Sequence, residues 1–384
     1  MIRVAFLCDH LDLGGQELGC LEVVRRIDRM RFLPFVYAFR PGSLVDDFRS
    51  LGVPLVVGHD KPGSENDWSE RDEAARRSYR NQLARHLRAD AIDVALVYSW
   101  EDGIASAQEA GVSAIVERVD GPSLDRRIRD KSSCTRIICE SRVARDVLVA
   151  QRELLGCEPA RIAVIANGVD LQRFNPRRYD REQCRTELGL ANDAFVIGSV
   201  ARIAPQKNLT HLLRATADLV ERLGADEGRR VRVLIAGPDG GARSDLEREM
   251  RDLEIGKYVT VLGARRDVPE ILRALDVFTL TSMFEGAPFA MIEAVVMGLP
   301  IVATQVGAVH EMIDRNGYLV SVLHPEDTAA ALAELCRDAA LCQRLSRRSR
   351  LLARRYDVER MVRRYEALLV EALEASKPAR SHRG

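Results

Sequence analysis

Short apolar runs alternate with segments of helical periodicity along almost the whole chain. Apolar runs of about four to eight residues, bounded by turn residues, predict strands that are buried on both faces. Strands that alternate with amphipathic helices are typical of parallel sheets covered by helices on both sides. The predicted strands of the first half are residues 2–7, 34–39, 53–57, 92–97, 114–118, 136–139 and 162–165.

A polar, arginine-rich stretch near residues 175–185 interrupts this alternation, which then restarts. We therefore predict two doubly wound, Rossmann-like α/β domains that face each other across a ligand-binding cleft. The first domain is expected to span residues 1–178, with residues 356–375 packed on it, and the second residues 179–355. Residues 376–384 are expected to be a disordered tail. The predicted strands of the second half are residues 195–200, 231–236, 258–262, 277–280, 301–304 and 318–320.

Composition and charge exclude several classes of partner. Acidic and basic side chains balance at 57 each, so no net field attracts nucleic acid or an anionic membrane. The eight cysteines are scattered without a C-x-x-C pair, which favours reduced thiols in a cytoplasm. The apolar start is too short for a signal peptide, and no stretch approaches the ~20 apolar residues of a membrane span. We expect a cytoplasmic protein with at most peripheral membrane contact.

The most informative chemistry lies in residues 285–294, with the sequence EGAPFAMIEA. Glu285 is predicted in a turn after a strand, and Glu293 on the helix that this turn opens, with Pro288 in its first turn. Polar groups at the carboxyl edge of a parallel sheet lie where ligands bind. An unpaired acid beside an anion-attracting helix N-terminus predicts a ligand with hydroxyl and phosphate groups, such as a nucleotide sugar. For Glu293, stabilisation of its own helix is the alternative.

Two cations follow the first strand of the second half. Arg202 and Lys207 lie in one strand-to-helix loop, SVARIAPQKN, at the same predicted edge as Glu285. Such a pair suits a diphosphate leaving group, and each charge-assisted contact is worth roughly 1.5–3 kcal/mol. A solvated charged loop is the alternative. The proximity of Glu285 favours a binding role.

A pair of glycines, Gly14 and Gly15, follows the first strand of the chain. Paired glycines let backbone N–H groups approach a ligand at a helix start, and a structural turn without a ligand is the alternative. The G-x-G-x-x-G dinucleotide fingerprint is absent. We expect Gly15 to contact the donor diphosphate. Gly14 and His10 are expected to contact the acceptor, although a buried, satisfied imidazole is equally compatible with His10.

Several motifs occur in a definite order along the chain. They are Gly14-Gly15, Asn167-Gly168-Val169-Asp170, Arg202 with Lys207, Ala236-Gly237, Leu262-Gly263, Glu285-Gly286 through Glu293-Ala294, and Gly298-Leu299-Pro300-Ile301-Val302-Ala303-Thr304. This ordered set resembles the retaining glycosyltransferases of the GT-B fold, and more narrowly family four of the sequence-based classification. The similarity is dense from residue 167 to residue 320 and thin in the first half.

The resemblance implies transfer of a sugar from a nucleotide-diphosphate donor to an acceptor hydroxyl, with retention. Arg202 and Lys207 would hold the donor diphosphate, and Glu285 would lie near the anomeric carbon. Glu293 would accept hydrogen bonds from the ribose hydroxyls, and the backbone N–H groups of Phe289 and Ala290 would cap the phosphate. The family uses UDP most, so a UDP-sugar is the expected donor, with GDP and ADP as alternatives. The acceptor would be a small molecule, a glycan or a lipid-linked glycan.

The first half departs from the family at Asp120, which stands where many relatives carry a histidine facing the sugar. Asp120 could act at the catalytic centre by binding a sugar hydroxyl or an acceptor, or it could cap the next turn. Trp100 ends the preceding strand and could stack on the acceptor, with core packing as the alternative. The departure bears on the identity of the donor and the acceptor more than on the reaction.

No D-x-D sequence occurs, and histidines and cysteines do not cluster with metal-ligand spacing. Since Arg202 and Lys207 could stabilise a leaving diphosphate electrostatically, we expect neither a metal ion nor another cofactor. Two other functions stay compatible with the residues. One is a nucleotide-sugar epimerase or hydrolase of the same architecture, and the other is a non-catalytic nucleotide-sugar-binding partner of another transferase.

Overall fold

The computed structural model describes residues 1–58, 73–119 and 131–377, and it divides into two compact units. The first unit contains Met1–Asn167 and the chain from Val358 onward, and the second unit is Gly168–Asp357. The first unit thus ends at Asn167, whereas the sequence placed the boundary at residue 178. The reason is that Val169 and Phe174 pack in the hydrophobic core of the second unit.

A parallel sheet forms the centre of the first unit. Its strands are β1 (Ile2–His10), β2 (Phe32–Arg40), β3 (Leu55–Val57), β4 (Val94–Tyr98), β5 (Ala114–Val119), β6 (Arg136–Cys139) and β7 (Ile162–Val164). Within the described residues the sheet has seven strands in the order β3-β2-β1-β4-β5-β6-β7. The central strands are buried on both faces, as continuous apolar runs require.

Helices cover both faces of this sheet. They are α1 (Gly15–Arg26), α2 (Val45–Arg49), α3 (Glu73–Ala89), α4 (Glu101–Ala110), α5 (Arg142–Ala150) and α6 (Arg152–Leu155), with a 3-10 turn at Pro159–Arg161. In α1, Glu17 lies in the first turn and Arg25 and Arg26 lie in the last, which matches the helix dipole. The apolar side of α1, including Cys20 and Val24, is buried against the sheet.

The second unit repeats the same architecture. Its strands are β8 (Phe195–Val200), β9 (Val231–Ala236), β10 (Val259–Gly263), β11 (Val277–Leu280), β12 (Ile301–Thr304) and β13 (Gly317–Val320). In the part of the chain that the structure describes, these six strands run parallel in the order β10-β9-β8-β11-β12-β13. Every strand predicted from the sequence is present in the two sheets, with ends that differ by a few residues.

The helices of the second unit follow its strands in turn. They are α7 (Arg181–Glu187), α8 (Leu209–Gly228), α9 (Arg243–Asp252), α10 (Val268–Ala274), α11 (Phe289–Val296), α12 (Val309–Met312), α13 (Pro325–Arg337) and α14 (Ala339–Leu352). The 3-10 turns are Pro176–Arg178, Pro205–Lys207 and Ala353–Tyr356. Where the chain enters and leaves this unit, the Val169 N–H donates to the Tyr356 carbonyl at 2.8 Å.

The helix α15 (Val358–Ala375) returns to the first unit and packs beside α1. Its Tyr365 is buried, and the Tyr365 hydroxyl accepts a hydrogen bond from the Arg118 guanidinium at 3.1 Å. Arg118 is only 1% exposed and also donates to Asn167 Oδ1 at 2.6 Å. This network joins the C-terminal helix to β5. Residues 378–384 of the predicted tail lie outside the described residues.

No helix within the three described ranges combines the length and the apolar character needed to cross a lipid bilayer.

Candidate functional site

Each doubly wound sheet reverses its strand order at one point, between β1 and β4 in the first unit and between β8 and β11 in the second. Ligands of such sheets bind beyond the carboxyl ends of the strands at this reversal. In the second unit, the loop after β8 carries Arg202 and Lys207, and the loop after β11 carries Glu285. Because β8 and β11 are paired neighbours, these two loops leave the sheet side by side.

Lys207 and Glu285 are in direct contact. The distance between Lys207 Nζ and Glu285 Oε1 is 2.6 Å, and the Ser282 hydroxyl donates to the same oxygen at 2.5 Å. Glu285 is only 6% exposed, and a charge this buried needs a partner. The prediction of an unpaired acid is therefore wrong, because a cation and a hydroxyl hold the carboxylate in place.

This contact leaves binding capacity on both side chains. Both donors to Glu285 use Oε1, and no described residue donates to its Oε2. That oxygen can accept hydrogen bonds from a ligand. Lys207 uses one of its three N–H donors on Glu285, so the others can reach a second anion.

Further hydrogen bonds fasten the two loops to each other. The Met283 N–H donates to the Gln206 carbonyl at 2.8 Å, and Gln206 Nε2 donates to the Phe284 carbonyl at 2.9 Å. The Thr281 hydroxyl donates to the Lys207 carbonyl at 3.1 Å. Because side-chain and backbone groups bond along the length of both loops, the separation of Lys207 and Glu285 is fixed by the fold.

The loop after β12 packs closely against the backbone of Glu285. Gly307 has φ of +47°, and a Cβ at this position would lie 1.8 Å from the Glu285 carbonyl oxygen. A side chain there would displace the loop, so the close approach requires glycine. The Thr304 hydroxyl adds a hydrogen bond of 2.7 Å to the Ser282 carbonyl.

The loop after β9 supports the backbone beside Arg202 in the same way. The Ala201 N–H donates to the Ala236 carbonyl at 2.9 Å. A Cβ on Gly237 would lie 1.9 Å from the Ala201 carbonyl oxygen, so Gly237 permits close contact between the two loops. The Arg202 side chain itself is exposed and extends from this supported backbone.

The N-terminus of α11 begins just after the acidic turn. Pro288 precedes the first helical residue as the N-cap rather than lying in the first turn, where the sequence placed it. The N–H groups of Met291 and Ile292 both donate to the Pro288 carbonyl at 3.2 Å. The N–H groups of Phe289 and Ala290 come earlier in the helix, where no intrahelical acceptor exists. Such an end attracts an anion.

Glu293 lies in the middle of α11 and is half-buried. It follows Phe289 by four residues, so both side chains project from the same side of the helix. The structure therefore places Glu293 one turn beyond the helix N-terminus.

The predicted residues at the end of β1 and just after it lie in the first unit and contact neighbours that are close in sequence. His10 Nδ1 accepts a hydrogen bond from the Asp12 N–H at 3.3 Å and lies 3.7 Å from Glu17 Oε1. A Cβ on Gly14 would lie 2.3 Å from Glu17 Oε2, and Gly15 begins α1. Gly14 thus makes room for the Glu17 carboxylate of α1, which favours the structural-turn alternative for this residue.

Trp100, after β4, belongs to an aromatic cluster in the core. It is 6% exposed, and its ring centroid lies 5.9 Å from that of Tyr79 and 6.2 Å from that of Phe39. Burial of this extent favours the core-packing alternative over stacking on an acceptor. Asp120 lies outside the described residues.

Sequence reasoning missed the residues that hold the site together. Ser282, Gln206 and Gly307 bond or pack against the loops of Lys207 and Glu285. An isolated glycine after a predicted strand was an available signal for Gly307. For Ser282 and Gln206 the only signal was a polar residue in a loop that follows a strand.

Comparisons with known proteins agree on one family. The model of the family Glycosyl transferases group 1 matches residues 180–352, within the second unit. EpsF of Bacillus subtilis (strain 168), described as a putative glycosyltransferase, is 31% identical over 361 residues, covering 90% of this chain and 89% of EpsF. The UDP-Gal:alpha-D-GlcNAc-diphosphoundecaprenol alpha-1,3-galactosyltransferase of Escherichia coli is 28% identical over 278 residues, covering 67% of this chain and 70% of that enzyme.

The fold agrees with that of a solved structure. The crystal structure of Alr3699/HepE from Anabaena in complex with UDP-glucose matches with a TM-score of 0.80 at 19% sequence identity. The match covers 97% of this chain and 100% of that chain. The chain therefore belongs to the glycosyl transferases of group 1 and is a glycosyltransferase of the GT-B fold.

Proposed function

We propose that this glycosyltransferase moves a sugar from a UDP-sugar to an acceptor hydroxyl, with retention at the anomeric carbon and without a metal ion. The contact between Lys207 and Glu285 at the reversal point of the second sheet carries the proposal. It pairs a cation that could bind the diphosphate with a carboxylate that could bind the sugar. The Anabaena protein binds UDP-glucose, and the name of the Escherichia coli relative includes UDP-Gal, so uridine is the base we favour.

The positive groups of the second unit would hold the donor diphosphate. Lys207 retains free N–H donors beyond its contact with Glu285, and the exposed Arg202 forms no ion pair with any described residue. The first N–H groups of α11, at Phe289 and Ala290, add partial positive charge without a counter-ion of their own. Together they would stabilise the charge that builds on the leaving diphosphate, which is the task a divalent ion performs elsewhere.

Glu285 would recognise the sugar. Its Oε1 is held by Lys207 and Ser282, so Oε2 has a fixed position from which to accept hydrogen bonds from sugar hydroxyls. A carboxylate placed near the anomeric carbon would also favour the positive charge that develops there. Glu293, one turn into α11, would bind the ribose hydroxyls of the nucleotide.

For the chemical step we favour attack on the same face as departure. The bond between the anomeric carbon and the phosphate oxygen breaks, and the acceptor oxygen bonds to that carbon on the same face. The acceptor proton passes to the departing phosphate oxygen, which acts as the base. A covalent intermediate would need a second nucleophile beside Glu285. The surrounding loops offer Ser282, but its hydroxyl already donates to Glu285 Oε1, so we do not favour this route.

The acceptor would bind the first unit, near His10 and Gly14. The Escherichia coli relative is named for an acceptor linked to diphosphoundecaprenol, so a lipid-linked glycan is one acceptor class, and a small molecule is the other. Asp120 would bind a sugar hydroxyl or the acceptor at the catalytic centre, as the sequence predicts. A reducing, cytoplasmic setting is supported by all eight cysteines, which lie in the described residues as free thiols.

A thermal-shift panel of nucleotides and nucleotide sugars tests the donor site. UDP and its sugars should raise the melting temperature, because ligand at 100 times its Kd stabilises a protein by about 2.7 kcal/mol. Lys207→Ala should reduce this shift strongly. Lys257→Ala, which removes an exposed lysine of the same unit, should leave it unchanged.

Two outcomes would reject the proposal. One is the absence of a shift with any nucleoside diphosphate or its sugars. The other is a shift in Lys207→Ala as large as in the wild-type protein. A shift with GDP or ADP alone would instead correct the identity of the base.

A further inference from the structure

A cavity lies at the amino edge of the second sheet, at the opposite end of the strands from Lys207 and Glu285. Its volume is about 480 Å³. Three lining residues locate it: Phe195 begins β8, Asp276 directly precedes β11, and Pro300 directly precedes β12. Since six residues of β8 span about 20 Å, the cavity is well separated from the donor site.

The lining of this cavity is strongly basic. In the part of the chain that the structure describes, five arginines and two aspartates face it, which gives an excess of three positive charges. The arginines are Arg181, Arg185, Arg230, Arg273 and Arg350, and the aspartates are Asp193 and Asp276. The whole chain has a net charge of zero, so this excess is a local feature.

The two aspartates do not neutralise the arginines. Asp276 is shared, with Oδ1 2.5 Å from Arg181 and Oδ2 2.7 Å from Arg185. Asp193 has a side chain that is 73% exposed and lies 3.9 Å from Arg230, which makes this pair weak. One half-buried carboxylate, that of Asp276, therefore serves two cations, and Arg273 and Arg350 have none.

Arg273 and Arg350 are the cations without a carboxylate. Arg273 Nε donates to the Tyr179 carbonyl at 3.0 Å, and an Arg350 guanidinium nitrogen donates to the Ser346 hydroxyl at 2.9 Å. Neither forms an ion pair with a described residue. Burial lowers the pKa of Arg273, and the positive charges of Arg181 and Arg350 lower it further. Both arginines thus keep N–H donors that bond to no other described residue. The positive charges around Arg273 would attract an anion.

We propose that this cavity binds a small molecule that carries a phosphate group, with Arg273 and Arg350 as its main contacts. A guanidinium presents paired N–H donors that match phosphate oxygens, and the half-buried position of Arg273 strengthens such contacts, while Arg350 is exposed. The half-buried Pro176 and the exposed Ala339 add apolar surface that an organic body can cover. A ligand here would not compete with the sugar donor, because the two sites lie at opposite edges of the sheet.

Titration calorimetry at constant ionic strength tests the site, with inorganic phosphate and a hexose 6-phosphate as probes. Wild-type protein should bind, and Arg273→Gln/Arg350→Gln should bind at least ~10-fold more weakly, a loss of about 1.4 kcal/mol, because two charge-assisted contacts are removed. Arg202→Ala, at the donor edge, should bind as wild type does. Tighter binding of the hexose phosphate supports a phosphorylated metabolite, and equal binding supports free phosphate.

A second variant distinguishes loss of the binding site from misfolding of the double variant. Ser346→Glu keeps both arginines and places a carboxylate beside Arg350, so it should also weaken binding. Arg229→Gln/Arg251→Gln, which changes two exposed arginines that do not line the cavity, should not. Circular dichroism of each variant checks the fold. No binding by the wild-type protein, or binding that Arg202→Ala abolishes and the cavity variants retain, would overturn the proposal. Equal loss in the Arg229→Gln/Arg251→Gln control would also overturn it.

Discussion

The reversal points of the two sheets have the same topology but different contents. In the second unit, Lys207 and Glu285 come from the loops of two neighbouring strands and meet at 2.6 Å. In the first unit, His10 contacts Asp12 of the following loop and Glu17 of α1, and Trp100 after β4 is buried in the core. Topology therefore decides where a site can form, and polar side chains that bridge two loops decide whether a charged site is built there.

The largest expected effect tests the structural role of Trp100 in the first unit. Trp100→Ala should destabilise the protein by about 3–5 kcal/mol, because it empties a buried aromatic cluster. Denaturant unfolding followed by circular dichroism measures this loss. UDP affinity should stay unchanged, since Trp100 lies outside the second unit. Undiminished stability together with lost acceptor binding would assign Trp100 to the acceptor instead.

In the second unit, Glu285→Gln should lower the rate of sugar transfer by about 10²–10³-fold, as removal of one group that stabilises transition-state charge does. The amide keeps the shape of the side chain but removes its charge. The assay is UDP release from a UDP-sugar in the presence of an acceptor that the wild-type enzyme uses.

Glu221→Gln, at an exposed position of the same unit, is the matched control and should keep the wild-type rate. A Glu285→Gln rate close to that of the control would remove Glu285 from the catalytic centre. The reversal point of the second sheet would then hold no catalytic carboxylate, and the two reversal points would not differ in this respect.

A smaller effect concerns acid stability of the second unit. His211 of α8 is buried, its Nε2 lies 2.8 Å from the Thr328 hydroxyl, and burial lowers its pKa. The unfolded chain thus binds a proton more readily than the folded one. Stability should fall below pH ~6.5, by up to about 1.4 kcal/mol per pH unit.

Urea midpoints measured from about pH 7 to pH 5 should fall less in His211→Gln than in wild type. His324→Gln, which changes an exposed histidine of the same unit, should follow the wild-type curve. Parallel curves for His211→Gln and wild type would contradict this explanation of acid sensitivity.

The smallest expected effect is that of a chelator. Because Arg202 and Lys207 would supply the positive charge that the leaving diphosphate needs, excess EDTA should leave the transfer rate unchanged. If EDTA removed most of the activity and Mg²⁺ or Mn²⁺ restored it, these two side chains would not be sufficient to stabilise the leaving diphosphate.

The fold was predictable because buried apolar runs alternate regularly with helices, and every predicted strand is present. Motif order also identified Lys207 and Glu285. Their contact was not predictable, because it joins residues 78 positions apart through loop geometry that periodicity does not encode. Nor was the domain boundary, since Val169 and Phe174 carry no pattern that assigns them to the second core. The burial of Trp100 likewise depends on partners from distant segments.

A crystal structure with a bound UDP-sugar would test the donor site assigned to Lys207 and Glu285. We predict diphosphate oxygens within hydrogen-bonding distance of Lys207 Nζ, and a sugar hydroxyl donating to Glu285 Oε2. A nucleotide bound elsewhere, with the contact between Lys207 and Glu285 facing no ligand, would contradict it.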